Sequence, residues 1–329
     1  MEKLINTFSN QIEHAITIGQ QAKITDKSSQ FNNIIICGLG GSGIGATLVK
    51  KLLEPIVNLP IEVVKSYKLP AYASEGSLVL ISSYSGNTEE TLASMREAIK
   101  RKCKIVAITA GGEISKICKA QAIDLIKIPA GNPPRTSLGY SLTQLLYTLQ
   151  AFSIIDNSFE SELIATAKLL TTEKENIKKE AKELANKLIG KTPILYSSAS
   201  FEAVAIRFRQ QINENSKMLC WHHVIPEMNH NELVGWRIAN DNQAVIILRN
   251  KSDLARIQER MELNKQIIAK CTKNIYELWS KGNSDLEKSL YLIHLGDWLS
   301  LYLSYLREVD TTEVKVIEFL KGELGKKTN

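Results

Sequence analysis

Several patterns are missing from this 329-residue sequence, and each absence excludes a class of protein. No run of about eighteen apolar residues occurs, so no segment is predicted to span a membrane. Lys and Arg number 41 against 35 Asp and Glu, which gives a net charge of only +6, and like charges never form a block of about five or more. Binding to nucleic acid or to a membrane surface is therefore not indicated.

Cysteine is scarce, odd in number and scattered. The five cysteines form no CxxC pair and mostly lie within apolar runs: Cys37, Cys103, Cys118, Cys220 and Cys271. This usage is typical of reduced, buried thiols in a cytosolic protein. The opening segment MEKLINTFSNQIEHAI has Asn, Glu and Gln where a signal peptide needs a continuous apolar core. We therefore expect a cytoplasmic protein.

The composition, 44% apolar and 23% charged, is that of a globular protein, and the length favours two domains. After an amphipathic helix over 3–25, short apolar runs alternate with helical patterns, which predicts a parallel sheet with helices on both faces. The predicted strands are 34–37, 61–64, 78–82, 105–109 and 123–128, and the predicted helices are 44–53, 89–101 and 114–120.

A second alternation follows a charged segment. We predict a long, partly exposed helix over 156–191 that connects a first domain, 1–155, to a second, 192–329. The second domain is predicted to contain strands at 193–198, 244–248 and 275–278 and helices at 201–217, 251–269 and 286–306. Ligands of such sheets bind beyond the carboxyl ends of strands. The turns expected at those ends are 38–43, 82–88 and 197–201.

The stretch ISSYSGNTEETL follows an apolar run and precedes a helical pattern. Three hydroxyl side chains, those of Ser83, Ser85 and Thr88, surround a turn formed by Gly86 and Asn87. At the start of a helix, free main-chain N–H groups, the positive end of the helix dipole and these hydroxyls together suit a phosphate. The alternative is an ordinary helix cap, which needs one hydroxyl rather than three.

A glycine-rich turn, GLGGSG at 38–43, follows the first predicted strand and matches GxGxxG. A dinucleotide site with this motif also needs an acidic residue at the end of the next strand, but that strand ends in VVKS at 63–66. Ser42 and the main-chain N–H groups instead form a small nest for a sugar oxygen or a phosphate edge. The alternative is a tight turn that needs small residues.

Six segments occur in a distinctive order: GLGGSGIG, SYSGNTEET, NPPRTSLGY, QINENSK, PEMNHNELVGW and VIEFLKGEL. In this order they resemble the bifunctional phosphoglucose/phosphomannose isomerase family, which is built from two sugar isomerase (SIS) domains. The resemblance runs from about residue 30 to the C-terminus. Ser-x-Ser-Gly-x-Thr alone indicates only an SIS domain that binds a sugar phosphate, and the downstream segments narrow the family to the isomerases.

The resemblance implies an α/β fold of two SIS-type three-layer αβα domains with mostly parallel, flavodoxin-like sheets. It implies an aldose–ketose isomerase that interconverts fructose 6-phosphate with glucose 6-phosphate and mannose 6-phosphate through ring opening and a cis-enediol, with no metal and no cofactor. The implied substrate-binding residues are Gly41, Ser42, Arg135 and the phosphate-holding Ser83, Ser85 and Thr88. The implied catalytic residues are Glu214 as the base, His230 for ring opening and Lys321.

The residue types suit this reaction. Ring opening needs an acid and a base that work near neutral pH, where imidazole titrates. Moving a proton between C1 and C2 needs a carboxylate beside the carbon, which Glu214 supplies. The developing oxyanion needs a fixed positive charge, which the planar guanidinium of Arg135 provides. Lys321 is suited to share the ring-opening proton work with His230.

Each catalytic residue also has an ordinary structural interpretation. Glu214 lies near Lys217 and fits a charge at a helix end. His230 fits a residue beside the cap of a short helix, and Lys321 fits a surface lysine.

A metal site formed by His222, His223, Glu227 and His230 is a further alternative. Their spacing matches no regular ligand motif, and adjacent histidines on a strand point to opposite faces. No metal is therefore predicted. The CWHH segment leaves open whether His222 or His223 is the working histidine instead of His230.

The resemblance also implies a homodimer in which the histidine is donated across the interface, so that the active site is shared. The predicted apolar helix 286–306, with Trp298, Tyr302 and Tyr305, is a candidate interface element, although core packing explains it equally well.

Other functions stay open. A non-catalytic SIS-domain sensor of sugar phosphates would usually carry a DNA-binding helix-turn-helix, which the short N-terminal segment does not suggest. A glucose-6-phosphate-only isomerase would keep the same residues, and a nucleotide-dependent dehydrogenase is disfavoured by the missing acidic residue.

The sequence does not set the ratio of glucose to mannose activity. Thr311 and Thr312 are expected to shape the space around C1 and C2.

Overall fold

The structure is a computed structural model that describes residues 1–25 and 30–326. Residues 26–29 of the predicted first domain and 327–329 of the predicted second domain lie outside the described residues. The described chain forms two separate parallel sheets with helices around them, so the predicted α/β class is confirmed. None of the described helices has the length and apolarity needed to cross a membrane.

The first sheet has five parallel strands in the order β2-β1-β3-β4-β5. They are β1 (Asn33–Cys37), β2 (Ile61–Val64), β3 (Ser77–Ser82), β4 (Lys104–Thr109) and β5 (Asp124–Lys127). All five predicted strands are present, with small shifts at their ends. Because β1 and β3 are neighbours, the turns that follow them lie side by side at the carboxyl edge of the sheet.

Helices cover both faces of the first sheet. They are α1 (Glu2–Asn6), α2 (Phe8–Gln21), α3 (Gly40–Leu53), α4 (Glu89–Lys100), α5 (Gly112–Gln121) and α6 (Leu138–Ala151). Ile34 and Ile36 of β1 belong to the core shared with α2, α3 and α6, whereas Ile35 and Cys37 pack with α4 and α5. The helix predicted over 3–25 is divided into α1 and α2.

Residues 156–191, predicted as one long helix, form two helices, α7 (Ser158–Thr172) and α8 (Lys174–Leu188). One face of α8 is buried at positions spaced four, three and four residues apart, from Ile177 to Leu188. The charged side chains occupy the other faces. The segment therefore packs along the core rather than crossing solvent.

The second sheet has four parallel strands in the order β7-β6-β8-β9. They are β6 (Thr192–Ser198), β7 (Trp221–Ile225), β8 (Gln243–Arg249) and β9 (Ile275–Trp279). Its helices are α9 (Glu202–Ser216), α10 (Ala255–Ile268) and α11 (Asp285–Leu306), followed by α12 (Lys315–Gly325). Three of the strands were predicted, but the edge strand β7 was not, because CWHHVI contains no continuous apolar run.

The last two helices differ sharply in burial. α11 begins with a capping box between Ser284 and Glu287, and Trp298 in its middle is fully buried, so core packing accounts for its apolar residues. Its last turn is open, where Tyr305 and Leu306 are exposed. α12 has no buried residue, and its apolar side chains are exposed: Val316, Ile317, Phe319, Leu320 and Leu324.

Candidate active site

The loop at 83–88, called the hydroxyl loop below, joins β3 to α4 at the carboxyl edge of the first sheet. Ser83 is buried, and its Oγ lies 3.1 Å from Oγ1 of Thr88 and accepts the N–H of Gly86 at 3.2 Å. Ser85 is exposed, and its Oγ accepts another main-chain N–H of the loop at 3.2 Å. The three predicted hydroxyls thus surround one turn at the start of α4, where the first N–H groups have no partner within the helix.

The hydroxyl loop is held in shape by the segment that follows β4. Gly86 has φ +68°, and a Cβ there would lie 1.9 Å from the carbonyl oxygen of Gly111. Its own carbonyl accepts the N–H of Ile114 at 3.0 Å. Glycine is required because both the backbone conformation and the space exclude a side chain. Thr88 occupies the N-cap of α4 without a side-chain capping bond, so the hydroxyls do not act as an ordinary cap.

The predicted turn at 38–43 is shorter than expected, because α3 begins within it. A Cβ on Gly41 would lie 2.5 Å from the carbonyl oxygen of Pro134, so this glycine lets α3 start against the short 3-10 helix Pro134–Thr136. Oγ of Ser42 accepts a main-chain N–H of the hydroxyl loop at 3.1 Å. The glycine turn therefore contacts the hydroxyl loop on one side and the Arg135 segment on the other.

Arg135 is buried, and each of its three guanidinium nitrogens donates a hydrogen bond. Nε donates to Oδ1 of Asn215 at 2.8 Å, and one terminal nitrogen donates to Oε1 of Glu214 at 2.9 Å. The other terminal nitrogen donates to the carbonyl oxygens of Thr311 and Thr312. Burial lowers the pKa of Arg135, and the Glu214 carboxylate opposes that shift. The planar cation is thereby fixed in one orientation.

Residues that the sequence analysis missed support this arginine. Arg207 donates to the carbonyl oxygen of Arg135 at 2.8 Å and pairs with Asp297 at 3.1 Å, both side chains being buried. Burial raises the pKa of Asp297, and the charge of Arg207 opposes it. Nδ2 of Asn215 donates to Oγ of Ser300 at 3.0 Å. The available signal was Asp297 and Ser300, two polar residues three apart within a largely apolar stretch of α11.

Glu214 lies near the end of α9, and its side chain is 32% exposed, so a ligand can reach it while Oε1 stays with Arg135. The neighbouring Lys217 ends the helix at φ 54°. Its Nζ donates to the carbonyl oxygens of Glu214 and Glu313, each at 2.7 Å. Burial lowers the pKa of Lys217, and the charge of Arg135 lowers it further. Lys217 thus holds the main chain, and the Glu214 carboxylate faces the arginine.

In the described part of the chain, the other two predicted catalytic residues form no hydrogen bond or ion pair with this pair. His230 is exposed and ends the 3-10 helix Glu227–His230, which follows the carboxyl end of β7. α9 connects the carboxyl end of β6 to the amino end of the parallel strand β7. Glu214, near the last turn of α9, therefore lies at the amino end of β7, whereas His230 follows its carboxyl end. β7 has five residues and spans about 13 Å between its end residues. Lys321 is exposed on α12.

The two histidines of CWHH occupy opposite faces of β7. His222 is half-buried, and burial, helped by the charge of Arg209, lowers its pKa to about 4. Nδ1 of His223 accepts the N–H of Val224 at 2.8 Å. Among the residues that the structure describes, no three His, Cys, Asp or Glu side chains are arranged to hold a metal ion. The metal alternative therefore has no geometric support within them.

Comparison with known proteins covers nearly the whole chain. Residues 29–150 match the SIS domain, and residues 177–324 match the bacterial phospho-glucose isomerase C-terminal SIS domain. The bifunctional phosphoglucose/phosphomannose isomerase of Caldicellulosiruptor bescii is 36% identical over 336 residues, covering 99% of each chain. The protein of the same name from Aquifex aeolicus is 37% identical over 327 residues, covering 98% of each.

The chain belongs to the bifunctional phosphoglucose/phosphomannose isomerase family. The family predicted from the six sequence segments is confirmed, and so is the isomerase interpretation over the sensor and dehydrogenase alternatives.

Solved structures confirm the SIS fold of the family. The C-terminal domain of glucosamine-fructose-6-phosphate aminotransferase from Francisella tularensis superposes with a TM-score of 0.79 at 15% identity, covering 95% of this chain and 98% of that one. Glucosamine-6-phosphate deaminase from Thermotoga maritima superposes with a TM-score of 0.70 at 14% identity, covering 94% and 96%. At such low identity the likeness concerns the fold alone.

Proposed function

We propose that this chain interconverts fructose 6-phosphate with glucose 6-phosphate and mannose 6-phosphate. One observation carries the proposal: the Glu214 carboxylate is held 2.9 Å from the fixed Arg135 guanidinium, next to the glycine turn that contacts the hydroxyl loop. An aldose–ketose conversion requires a carboxylate that moves a proton and a cation that stabilises the oxyanion. The names of the relatives support the choice of sugars.

The hydroxyl loop is assigned to the 6-phosphate. Ser83, Ser85 and Thr88 offer hydroxyl donors, and the start of α4 adds main-chain N–H groups and the positive end of the helix dipole. Gly41 and Ser42 are assigned to the same sugar-phosphate site, because both lie at the start of α3 and Ser42 contacts the hydroxyl loop. Binding the phosphate at one end of the sugar leaves its C1 and C2 free to be oriented at the other end.

The isomerisation step is assigned to the arginine–glutamate pair. After ring opening, Glu214 takes the proton from C2 of the aldose, and the C–H electrons form the C1–C2 double bond of a cis-enediol while the C1 oxygen becomes negative. Returning the proton to C1, with transfer of a proton from the C2 oxygen to the C1 oxygen, gives the ketose. Arg135 stabilises the oxyanion, and because its orientation is already fixed, little reorganisation is needed.

Ring opening is assigned to His230, with Lys321 sharing the proton work. His230 lies at the opposite edge of the second sheet from Glu214 of its own chain, so we propose a homodimer in which each site takes its histidine from the other copy. His222 and His223 are less suited to the role, because His222 is partly buried with a low pKa and Nδ1 of His223 already accepts a hydrogen bond.

We keep the domain division 1–155, 156–191 and 192–329 as a proposal, supported by the two separate sheets and by the two matched family models.

We also propose a cytoplasmic location. All five cysteines are buried and unpaired, as is typical of a reducing compartment.

The control of the C2 epimer is proposed to lie near Thr311 and Thr312, whose carbonyl oxygens accept bonds from Arg135. Thr312 is exposed, so a longer side chain can be accommodated there. Thr312→Gln is expected to change the ratio of mannose to glucose activity. An unchanged ratio would reject this role.

The test is a coupled assay for loss of mannose 6-phosphate and of glucose 6-phosphate in the presence of EDTA. The wild type is expected to turn over both sugars, and Glu214→Ala to lower kcat about a thousandfold. Glu259→Ala is the matched control, since Glu259 is an exposed helix carboxylate paired only with Arg256. Turnover of glucose 6-phosphate alone would favour the glucose-only isomerase, and binding of fructose 6-phosphate without turnover would favour the sensor.

A further inference from the structure

Three basic side chains, those of Lys65, Arg209 and His222, come from separate elements that pack beside the glycine turn, and we call them the basic cluster. Lys65 directly follows β2, and its Cε lies 3.6 Å from where a Cβ on Gly43 would be. Arg209 belongs to α9. His222 pairs in the sheet with Leu195, whose side chain lies in the core shared with α9, so His222 is on the α9 side of β7.

The basic cluster lacks counter-ions. Nε of Arg209 and Nδ1 of His222 are buried, and neither has a hydrogen-bond partner. Within the described part of the chain, neither Lys65 nor Arg209 forms an ion pair or a hydrogen bond. Nε of Arg207, two residues earlier on the same helix, is also buried without a partner, but a terminal nitrogen of Arg207 pairs with Asp297 at 3.1 Å. Buried polar groups of proteins are normally hydrogen-bonded, and Arg209 lacks even such an ion pair.

The members of the cluster affect one another's protonation. Partial desolvation lowers the pKa of Lys65 although its side chain is exposed, and Arg209 lowers it further against the opposing charge of Glu202. Burial also lowers the pKa of His222, with Arg209 acting in the same direction and Glu232 against it. An anion placed beside Lys65 and Arg209 is attracted by both charges and removes their mutual repulsion, and the neutral His222 imidazole can donate a hydrogen bond to it.

The two nearby carboxylates already have other partners. Glu202 lies 4.0 Å from Nζ of Lys51. Glu232 accepts the indole N–H of Trp221 at 3.2 Å and the hydroxyl of Tyr196. Within the described residues, neither carboxylate forms an ion pair or a hydrogen bond with the basic cluster, and the cluster keeps a net positive charge.

We propose that Lys65, Arg209 and His222 form a second anion-binding site, which takes a phosphate group beside the hydroxyl loop but separate from it. The phosphate is either free inorganic phosphate or the second phosphate of a sugar bisphosphate. Its oxygens accept N–H groups from Arg209 and His222, and the exposed Lys65 ammonium completes the site. The inference does not rest on the proposed isomerase activity, since none of these three residues is assigned to the reaction.

The test follows the imidazole resonances of the full-length protein by NMR during titration with inorganic phosphate. The His222 resonance, assigned by its absence in His222→Asn, is expected to shift saturably. Arg209→Gln is expected to weaken that binding about tenfold or more, because a charged donor is lost. Arg256→Gln, on the exposed face of α10, is the matched control and should leave it unchanged. Absence of the shift, or its persistence in Arg209→Gln, would overturn the proposal.

Further variants separate this site from the hydroxyl loop. Ser83→Ala should leave the His222 shift intact, and its loss there would overturn a separate site. Arg209→Lys keeps the charge and should retain part of the binding, which guards against a folding defect in Arg209→Gln. If Arg209→Gln instead dissociated the dimer with phosphate binding unchanged, the cluster would belong to an interface and the proposal would fail.

The two sources of phosphate are distinguished by competition. Displacement of inorganic phosphate by fructose 1,6-bisphosphate but not by fructose 6-phosphate would support the second phosphate of a bisphosphate. No displacement by either sugar would support free phosphate. Displacement by fructose 6-phosphate would place the cluster in the substrate pocket and overturn a separate site.

Discussion

The candidate site has two parts that differ in how far one chain completes them. Arg135, Glu214 and the hydroxyl loop are positioned by hydrogen bonds, several of them through buried residues. His230 and Lys321 are exposed, one on a short 3-10 helix and one on a helix with no buried residue. The difference shows that the groups assigned to phosphate binding and proton movement are already positioned within one chain, whereas the groups assigned to ring opening are exposed, and for these we propose a contact with a second copy.

The edge strand β7 relates the two parts. Glu214 lies near its amino end and His230 beyond its carboxyl end, so a two-fold axis perpendicular to β7 near its middle would bring each histidine to the glutamate of the other copy. Trp221 on β7 is partly exposed, and Phe319 and Leu320 on α12 are exposed. These apolar side chains offer the surface that such a contact would bury.

The most decisive test of this comparison mixes two inactive variants. Glu214→Ala and His230→Ala chains, unfolded and refolded together in equal amounts, are expected to regain about a quarter of wild-type activity, because half of the dimers are mixed and each of these has one intact site. The coupled isomerase assay measures the gain. As the control, Glu214→Ala and His230→Ala are refolded separately and mixed only afterwards, so that no subunit exchange occurs. Absence of any gain on joint refolding would show that both residues act within one chain.

The next largest effect concerns the fixed arginine. Asn215→Leu leaves the buried Nε–H of Arg135 without its acceptor, so we expect kcat/KM to fall about 100-fold through misplacement of the guanidinium. The unfolding free energy is expected to fall by about 2 kcal/mol. Asn215→Asp keeps an acceptor and should recover most of kcat. Steady-state kinetics and urea unfolding measure both effects, and an unchanged kcat in Asn215→Leu would contradict the role.

A smaller effect is expected in the hydroxyl loop. Gly86→Ala forces a side chain into a left-handed conformation and against the Gly111 carbonyl, so we expect a loss of about 1–2 kcal/mol in stability and a KM raised about tenfold. Gly190→Ala is the control, because Gly190 has φ +73° but no atom within 4 Å of its Cβ position. Equal KM values in the two variants would show that the loop geometry does not govern phosphate binding.

The smallest effect on the reaction itself concerns the core behind the first part. Burial lowers the pKa of His294 to about 3, so the folded state stays neutral at pH 5 while the unfolded state binds a proton below its ordinary pKa of about 6.5. Stability should therefore fall by about 2 kcal/mol between pH 7 and pH 5. His294→Gln, whose side chain can still accept the Trp298 indole N–H, should lack this loss of stability at low pH. The control variant His14→Gln, at an exposed position, should keep it. If the unfolding free energies of the two variants changed with pH in parallel, the assignment would be contradicted.

Most of the fold could be predicted because strands buried on both faces appear in the sequence as continuous apolar runs. β7 could not, because only Ile225 among its five residues is buried, so the segment shows no such run. The break between α7 and α8 was also missed, since charged residues continue through Glu173 at helical spacing.

The parts of the candidate site formed by adjacent residues could be predicted from the sequence, and the parts formed by residues distant in sequence could not. The hydroxyl loop follows from adjacent residues, but no local pattern joins Arg135 to α11. The turn at 197–201 was expected beside the ligand because it follows a strand of the second sheet. It lies at the other edge of that sheet from Glu214, and Oγ of Ser198 donates to Asp253 at 2.8 Å. The second half contributes the end of α9 instead of its strand ends.

The contact of Arg135 with the Thr311 and Thr312 carbonyls sets a time order during protein synthesis. These acceptors are translated 176 and 177 residues after the arginine. At about 5–20 residues per second, that delay is about 10–35 s. A chain still attached to the ribosome can form the first sheet and its hydroxyl loop, but its arginine lacks two of its acceptors. We therefore expect nascent chains to bind sugar phosphate before they can isomerise it.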